Sequence, residues 1–194
     1  MKIGIFGGSF NPIHTGHAII ANYIAQNSDL DAVWMMVSPL NPLKTENLGA
    51  SDTDRLRMTE MVTRQLEKVT TSAFEFSMPK PSYTINTLRE LSKRSPNAEF
   101  TLIIGADNWC NFKQWKDYEE ILTNYKILVY PRLGFDIVIP EQYNSNVSIV
   151  NAPVIELSST IIRQGIKNQQ NMCFYLPSQV YQYILENRLY MYGK

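Results

Sequence analysis

Residues 4–17 read Gly-Ile-Phe-Gly-Gly-Ser-Phe-Asn-Pro-Ile-His-Thr-Gly-His, and they carry the clearest chemistry of the chain. An apolar stretch, Ile3–Phe6, ends in Gly7 and Gly8, whose backbone N–H groups can approach a ligand with no Cβ in the way. Pro12 stiffens the loop. His14 and His17 then flank Gly16, just as apolar residues return at helical spacing (Ile19, Ile20, Tyr23, Ile24). Positions three apart share one side of a helical turn. Two imidazoles are therefore expected together at a helix N-terminus, where free amides and the macrodipole favour an anion. The chain's 2 histidines both fall in this segment, which favours a phosphate-handling turn over an incidental one. The loop is neither a P-loop nor a dinucleotide GxGxxG fingerprint. Zinc is a weaker competitor, because two histidines need further ligands and the cysteines are isolated.

Other groups are less specific by themselves. Ile103-Ile104-Gly105-Ala106-Asp107 places a carboxylate after a buried strand. Capping the next helix and gripping ribose hydroxyls explain Asp107 about equally. In Glu156–Arg163, Ser158 or Ser159 reads as an N-cap, with Arg163 one turn on. An ordinary capped helix accounts for that pattern, although its start also suits phosphate. Pro81–Thr87 reads as a loop feeding a helix, Lys44 as a loop base and Trp115 as an isolated aromatic. Trp34 and Trp109 read as core.

The elements that must hold these residues alternate in type. Strands are expected at Ile3–Phe6, Ala32–Val37, Val69–Phe76, Phe100–Ile104, Ile127–Tyr130 and Asn146–Val150. Helices are expected at Gly16–Gln26, Asp54–Leu66, Thr84–Ser92, Ser158–Gly165 and Ser178–Glu186. Residues 133–146 read as a variable loop. Strands spaced by helical segments predict an α/β fold, an open doubly wound, mostly parallel sheet. Ligands then sit at the carboxyl ends of the strands. Residues 1–194 are expected to form one domain, with 155–194 a small helical subregion.

A chain of 194 residues that is 44% hydrophobic can bury a substantial core. Its 18 basic and 18 acidic residues balance, so no basic surface marks it as a nucleic-acid binder. No apolar run reaches the roughly 20 residues of a membrane span, and no signal peptide is evident. Cys110 and Cys173 are far apart, which fits a cytoplasmic protein better than a disulfide scaffold. A homodimer is compatible with the sequence, but no feature fixes an interface.

The segment Gly7–His17 resembles the GGxFxPxHxGH signature of the HxGH nucleotidyltransferase superfamily. The remaining motifs narrow the resemblance to bacterial nicotinate-nucleotide adenylyltransferases, across nearly the whole chain. The resemblance implies a Rossmann-like nucleotidyltransferase that joins ATP to nicotinate mononucleotide. It implies that His14 and His17 hold the ATP phosphates, aided by Lys44 and by Arg163 of the Ser-Ser-Thr-Ile-Ile-Arg element. Gly7, Gly8, Ser9, Phe10, Gly105, Asp107, Ser159 and Thr160 would complete the ATP site. Asn11, Thr84 of Pro-Ser-Tyr-Thr, Trp115 and Arg132 would serve the nicotinate nucleotide. No protein metal ligand is implied; Mg²⁺ would ride on the ATP phosphates. Arg55 aligns with a family Arg and reads as structural support. Departures from the family pattern are Asn11 for Asp, Asn41 for Pro, Leu43 for His and Leu133 for Pro. Alternative acceptors are nicotinamide mononucleotide or another phosphate such as phosphopantetheine. A non-catalytic nucleotide-binding module is the remaining alternative.

Overall fold

A computed structural model describes residues 1–39 and 49–191. Lys44, Asn41 and Leu43 lie outside the described residues. Six strands form one sheet: β1 (Lys2–Gly8), β2 (Ala32–Val37), β3 (Val69–Ser72), β4 (Glu99–Gly105), β5 (Lys126–Tyr130) and β6 (Val147–Ile149). Their order is β3-β2-β1-β4-β5-β6, and every pairing is parallel. The chain winds outward from β1 to β3, then crosses back to start again at β4. Ile3 of β1 pairs with Ala32 on one side and Phe100 on the other. The topological switch therefore lies between β1 and β4, where such sheets open a crevice at their carboxyl ends.

The helices are α1 (Thr15–Asn27), α2 (Asp52–Thr63), α3 (Thr84–Arg94), α4 (Ala106–Cys110), α5 (Tyr118–Asn124), α6 (Ser159–Lys167) and α7 (Ser178–Glu186). They cover both faces, and the alternation along the strands shows how. Val33, Met35, Ile103 and Tyr130 point to the face covered by α1, α2, α6 and α7. Ile3, Ile5, Leu102, Ile104, Ile127 and Val129 point to the face covered by α3 and α5. Strands buried on both sides read as near-continuous apolar runs, as these do. Each fully buried aliphatic side chain contributes roughly 1.5–3 kcal/mol.

Three expectations are corrected. Regular pairing of β3 ends at Ser72, and Phe74–Ser77 forms a 3₁₀ turn rather than more strand. The helices α4 and α5 were not anticipated, because 5 and 7 residues are too few to display a helical period. The second helix starts at Asp52, where the Ser51 side chain accepts from Asp54 N and Asp54 accepts from Ser51 N. The C-terminal helices are docked into the main core: Ile162, Val180 and Ile184 are fully buried there. The Tyr183 hydroxyl also donates to Asp54 Oδ1 at 2.8 Å. Among the described residues no helix is long and apolar enough to cross a membrane.

Candidate active site

Both strongly motif-bearing segments leave the sheet at the switch. His14 is the N-cap of α1 and His17 its third residue. The two residues cap each other: His17 N donates to His14 Nδ1, and His14 N donates to His17 Nδ1, each at 3.3 Å. The rings stack with centroids 3.6 Å apart. Gly16 makes this stack feasible, since a Cβ there would lie 3.1 Å from the His14 ring and 3.3 Å from Ile155. Edges of Phe6 and Phe10 pack against His17.

This geometry fixes the protonation chemistry. Burial, with Arg132 nearby, lowers His14 to about 4. Burial, then His14 and Arg132, pushes His17 well below its usual value. Both rings are thus neutral near pH 7. Each Nδ1 already accepts a main-chain N–H, so each ring carries its proton on Nε2. The pair presents two neutral Nε2–H donors rather than two cations. The helix terminus itself is less open than expected. Of its first three amides, Thr15 N donates to Tyr175 O and His17 N to His14.

The loop before the histidines is tied down from several directions. The buried Arg55 guanidinium donates to Ser9 O, to Ser38 O at 2.8 Å and to Asp52 Oδ1 at 2.6 Å. Arg55 is thus structural support, joining the segments after β1 and β2. Arg163 Nη1 donates to Asn11 O at 2.8 Å, and Ser159 Oγ donates to Pro12 O at 2.9 Å. Ser158 is the N-cap of α6, so of the two candidates Ser159 is free to reach the loop. Arg163 also donates to Thr160 Oγ1 at 3.2 Å. The Asn11 side chain is buried and accepts from the Tyr190 hydroxyl at 2.7 Å. Tyr190 went unnoticed in the sequence, because a lone Tyr near the end of a chain carries no motif.

Two hollows flank this loop. The first is a narrow niche of about 10 Å³, walled by His14, Gly16, His17, Tyr130, Arg132 and Ile155 among others. Arg132 Nε lies 3.6 Å from Asp107 Oδ1, and neither atom has a hydrogen-bond partner among the described residues. Arg132, grouped by sequence with the nicotinate-nucleotide residues, lines the niche beside the two histidines. The second hollow is a cleft of about 290 Å³ on the other side of β1 and β4. Thr84, Thr87 and Trp115 line it together with Gly7, Gly8, Ser38, Glu75 and Gly105. A Cβ on Gly7 would meet nothing within 4 Å, so the chain there faces open space. Thr84 begins α3, whose N-terminus has no side-chain cap. Trp115 packs on Phe112 with centroids 5.1 Å apart. Next to Trp115 and Thr84 in sequence, Lys116 and Tyr83 also meet, with Lys116 Nζ 4.8 Å above the Tyr83 ring. The structure thus gathers all the described candidates around the switch point, but on two sides. Trp109, read as core, is only half-buried and donates through Nε1 to Val138 O at 3.0 Å.

The cytidylyltransferase-like family model matches residues 5–165. Two similar proteins, from Flavobacterium psychrophilum and Bacteroides thetaiotaomicron, are both named "Probable nicotinate-nucleotide adenylyltransferase". They are 47% and 43% identical, covering 98% and 96% of this chain and 99% and 92% of their own. The chain belongs to the nicotinate-nucleotide adenylyltransferase family. The fold of the family is matched across a wide sequence distance. Plasmodium falciparum nicotinic acid mononucleotide adenylyltransferase complexed with NaAD superposes with a TM-score of 0.80 at 19% identity, over 97% of each chain. That likeness confirms the Rossmann-like nucleotidyltransferase architecture.

Proposed function

We propose that this member of the family transfers the adenylyl group of ATP to nicotinate mononucleotide, releasing pyrophosphate and nicotinate adenine dinucleotide for NAD biosynthesis. The observation that carries the reading is the switch-point pair of hollows, joined by the Gly7–His17 loop. One side offers phosphate donors, and the other an open, aromatic-walled cleft.

The attacking oxygen is a phosphomonoester oxygen, already anionic near neutral pH because its second pKa is about 6. No general base is needed. The obstacles are repulsion between two polyanions and charge gathering on the departing pyrophosphate. Positioning and electrostatics meet both. His14 and His17 direct their Nε2–H donors at the triphosphate, and the Arg163 guanidinium, one turn into α6, supplies fixed charge. Ser159 and Thr160 hydroxyls lie beside it. Arg132 and Asp107 would part as the nucleotide enters, leaving Asp107 for ribose hydroxyls and Arg132 for phosphate. Gly7, Gly8, Ser9, Phe10 and Gly105 shape the crossing between the hollows, and Asn11 braces it through its backbone. Lys44 is assigned to the same phosphates on its sequence match.

In the open cleft, the Trp115 face stacks on the cationic pyridinium ring, a contact worth about 0.5–2 kcal/mol. The uncapped N-terminus of α3 and the Thr84 hydroxyl take the nicotinate carboxylate, so acid is preferred over amide without a full positive charge. Mg²⁺ fits the site as a passenger of the triphosphate. Among the described residues no three His, Cys, Asp or Glu side chains cluster, and Mg²⁺ is commonly held by substrate phosphates with few carboxylates. When bound it neutralises phosphate charge.

A side-by-side pyrophosphate-release assay with nicotinate mononucleotide, nicotinamide mononucleotide and phosphopantetheine tests the reading. The acid mononucleotide should be the best acceptor. Equal or better turnover of either of the others would overturn the acceptor assignment.

A further inference from the structure

The cleft contains one charged side chain that no step above uses. Glu75, on the 3₁₀ turn after β3, is only 7% exposed. It is the sole carboxylate among the described residues lining the cleft, and no cation lines it. One oxygen, Oε1, accepts from the Thr87 hydroxyl at 2.7 Å. The other makes no hydrogen bond or ion pair with the described residues. That second oxygen is not among the enclosed polar atoms without a partner, so it reaches the open space of the cleft. The tie to Thr87 does not call for that charge, since a neutral glutamine offers the same acceptor. The fold therefore accounts for one oxygen and not for the other.

A carboxylate can only accept. If the cleft takes nicotinate mononucleotide, as proposed above, the donors that this ligand brings can be enumerated. Its ring carboxylate is ionised at neutral pH. Its phosphate is largely dianionic, given a second pKa near 6. The quaternary pyridinium nitrogen bears no hydrogen. The 2′ and 3′ hydroxyls of the ribose remain. We propose that Glu75 is a substrate-binding residue whose free carboxylate oxygen accepts a hydrogen bond from a ribose hydroxyl of the mononucleotide. It would thereby select a riboside over a deoxyriboside. Carboxylate recognition of ribose hydroxyls is the usual solution in α/β nucleotide sites. Thr87 then acts as a positioning residue: its hydroxyl fixes one oxygen so that the other faces the ligand.

The test compares kcat/KM for nicotinate mononucleotide and its 2′-deoxy and 3′-deoxy analogues, using wild-type enzyme, Glu75→Gln and Thr87→Val. Wild-type enzyme should lose at least tenfold on one deoxy analogue, a size expected for a hydrogen bond to a charged group. Glu75→Gln, which keeps an acceptor for Thr87, should lose about tenfold on the ribonucleotide and less than twofold on that same analogue. Thr87→Val should lower all three substrates by a similar factor. Equal turnover of all three substrates by the wild-type enzyme overturns the assignment even if Glu75→Gln does not fold. So does a Glu75→Gln variant that loses nothing, or loses the same factor on every substrate. A wild-type enzyme that ignores nicotinate mononucleotide while turning over another acceptor overturns the functional reading itself, and this assignment with it.

Discussion

The two hollows flanking the Gly7–His17 loop are built in opposite ways. The histidine niche is narrow, and the groups in and around it are held close together: His14 and His17 cap each other, Arg132 lies beside Asp107, and Arg163 donates to Asn11 O. The Thr84–Trp115 cleft is far roomier, with an uncapped helix start and one carboxylate oxygen that meets no donor of the described residues. The contrast teaches how one sheet serves two charged substrates. On the proposed assignment the niche side meets a polyanion, and the mutual capping of His14 and His17 holds two donors in place before it arrives. The cleft would instead receive a flat ring and a sugar, for which space and a few oriented groups suffice.

The sharpest way to break this comparison is on the niche side. His17→Ala removes one Nε2–H donor and should lower kcat by about 10³-fold, the scale for losing a preorganised donor to developing charge. It also removes a helix cap, worth only about 1 kcal/mol, so the variant should remain folded by circular dichroism. A folded variant with near-wild-type turnover would deny the niche its role.

Arg55 links the two sides, because it binds both Ser9 O and Ser38 O. Arg55→Met should cost roughly 3 kcal/mol of stability, since it strips donors from two loop carbonyls and from Asp52. Urea unfolding measures this, and activity should fall with both substrates together. A loss confined to one substrate would mean that the sides are positioned independently.

The stacked imidazoles give the niche a pH signature. The folded His14 sits at about 4 because of burial and Arg132, against about 6.5 in an unfolded chain. Between these values the unfolded state binds the extra proton, so stability falls with decreasing pH. This contribution is complete above about pH 6.5 and is lost toward pH 4. The span corresponds to about 3 kcal/mol. Denaturation midpoints across that window should show the slope, and His14→Asn should reduce it, leaving the part that His17 contributes. A slope unchanged by His14→Asn would place the titration elsewhere.

The smallest effect belongs to the cleft. Trp115→Ala should raise KM for the pyridine nucleotide by about tenfold, within the range of a cation–π contact, and leave KM for ATP within twofold. Equal changes for both would remove the stacking role and blur the division between the two sides.

The sequence made the sheet legible because its strands are apolar on both faces and its long helices carry clear periods. Short elements escaped: α4 and α5 are too brief to show one. At β3 the alternating pattern of Val69–Phe76 persists past the last ladder bond, so the turn that lowers Glu75 into the cleft looked like strand. The histidine motif was legible as two imidazoles meeting at a helix start, but its reciprocal capping was not, because nothing in the spacing tells which nitrogen faces the backbone. The side on which Arg132 stands was hidden for a similar reason. Its position after β5 is readable, yet whether it turns toward α1 or α3 depends on Asp107 and Tyr130 as neighbours. Tyr190 and Glu75 carry no local signal, and they emerge only when residues distant in sequence meet.

The central claim is that neutral Nε2–H groups of His14 and His17 hold the triphosphate while the Trp115 cleft holds the acceptor. A crystal structure with a non-hydrolysable ATP analogue and nicotinate mononucleotide bound together tests it most directly. The account predicts phosphate oxygens within about 3 Å of both Nε2 atoms and the pyridine ring against Trp115. A triphosphate bound away from both histidines, with their Nε2 atoms turned toward protein carbonyls, would contradict it.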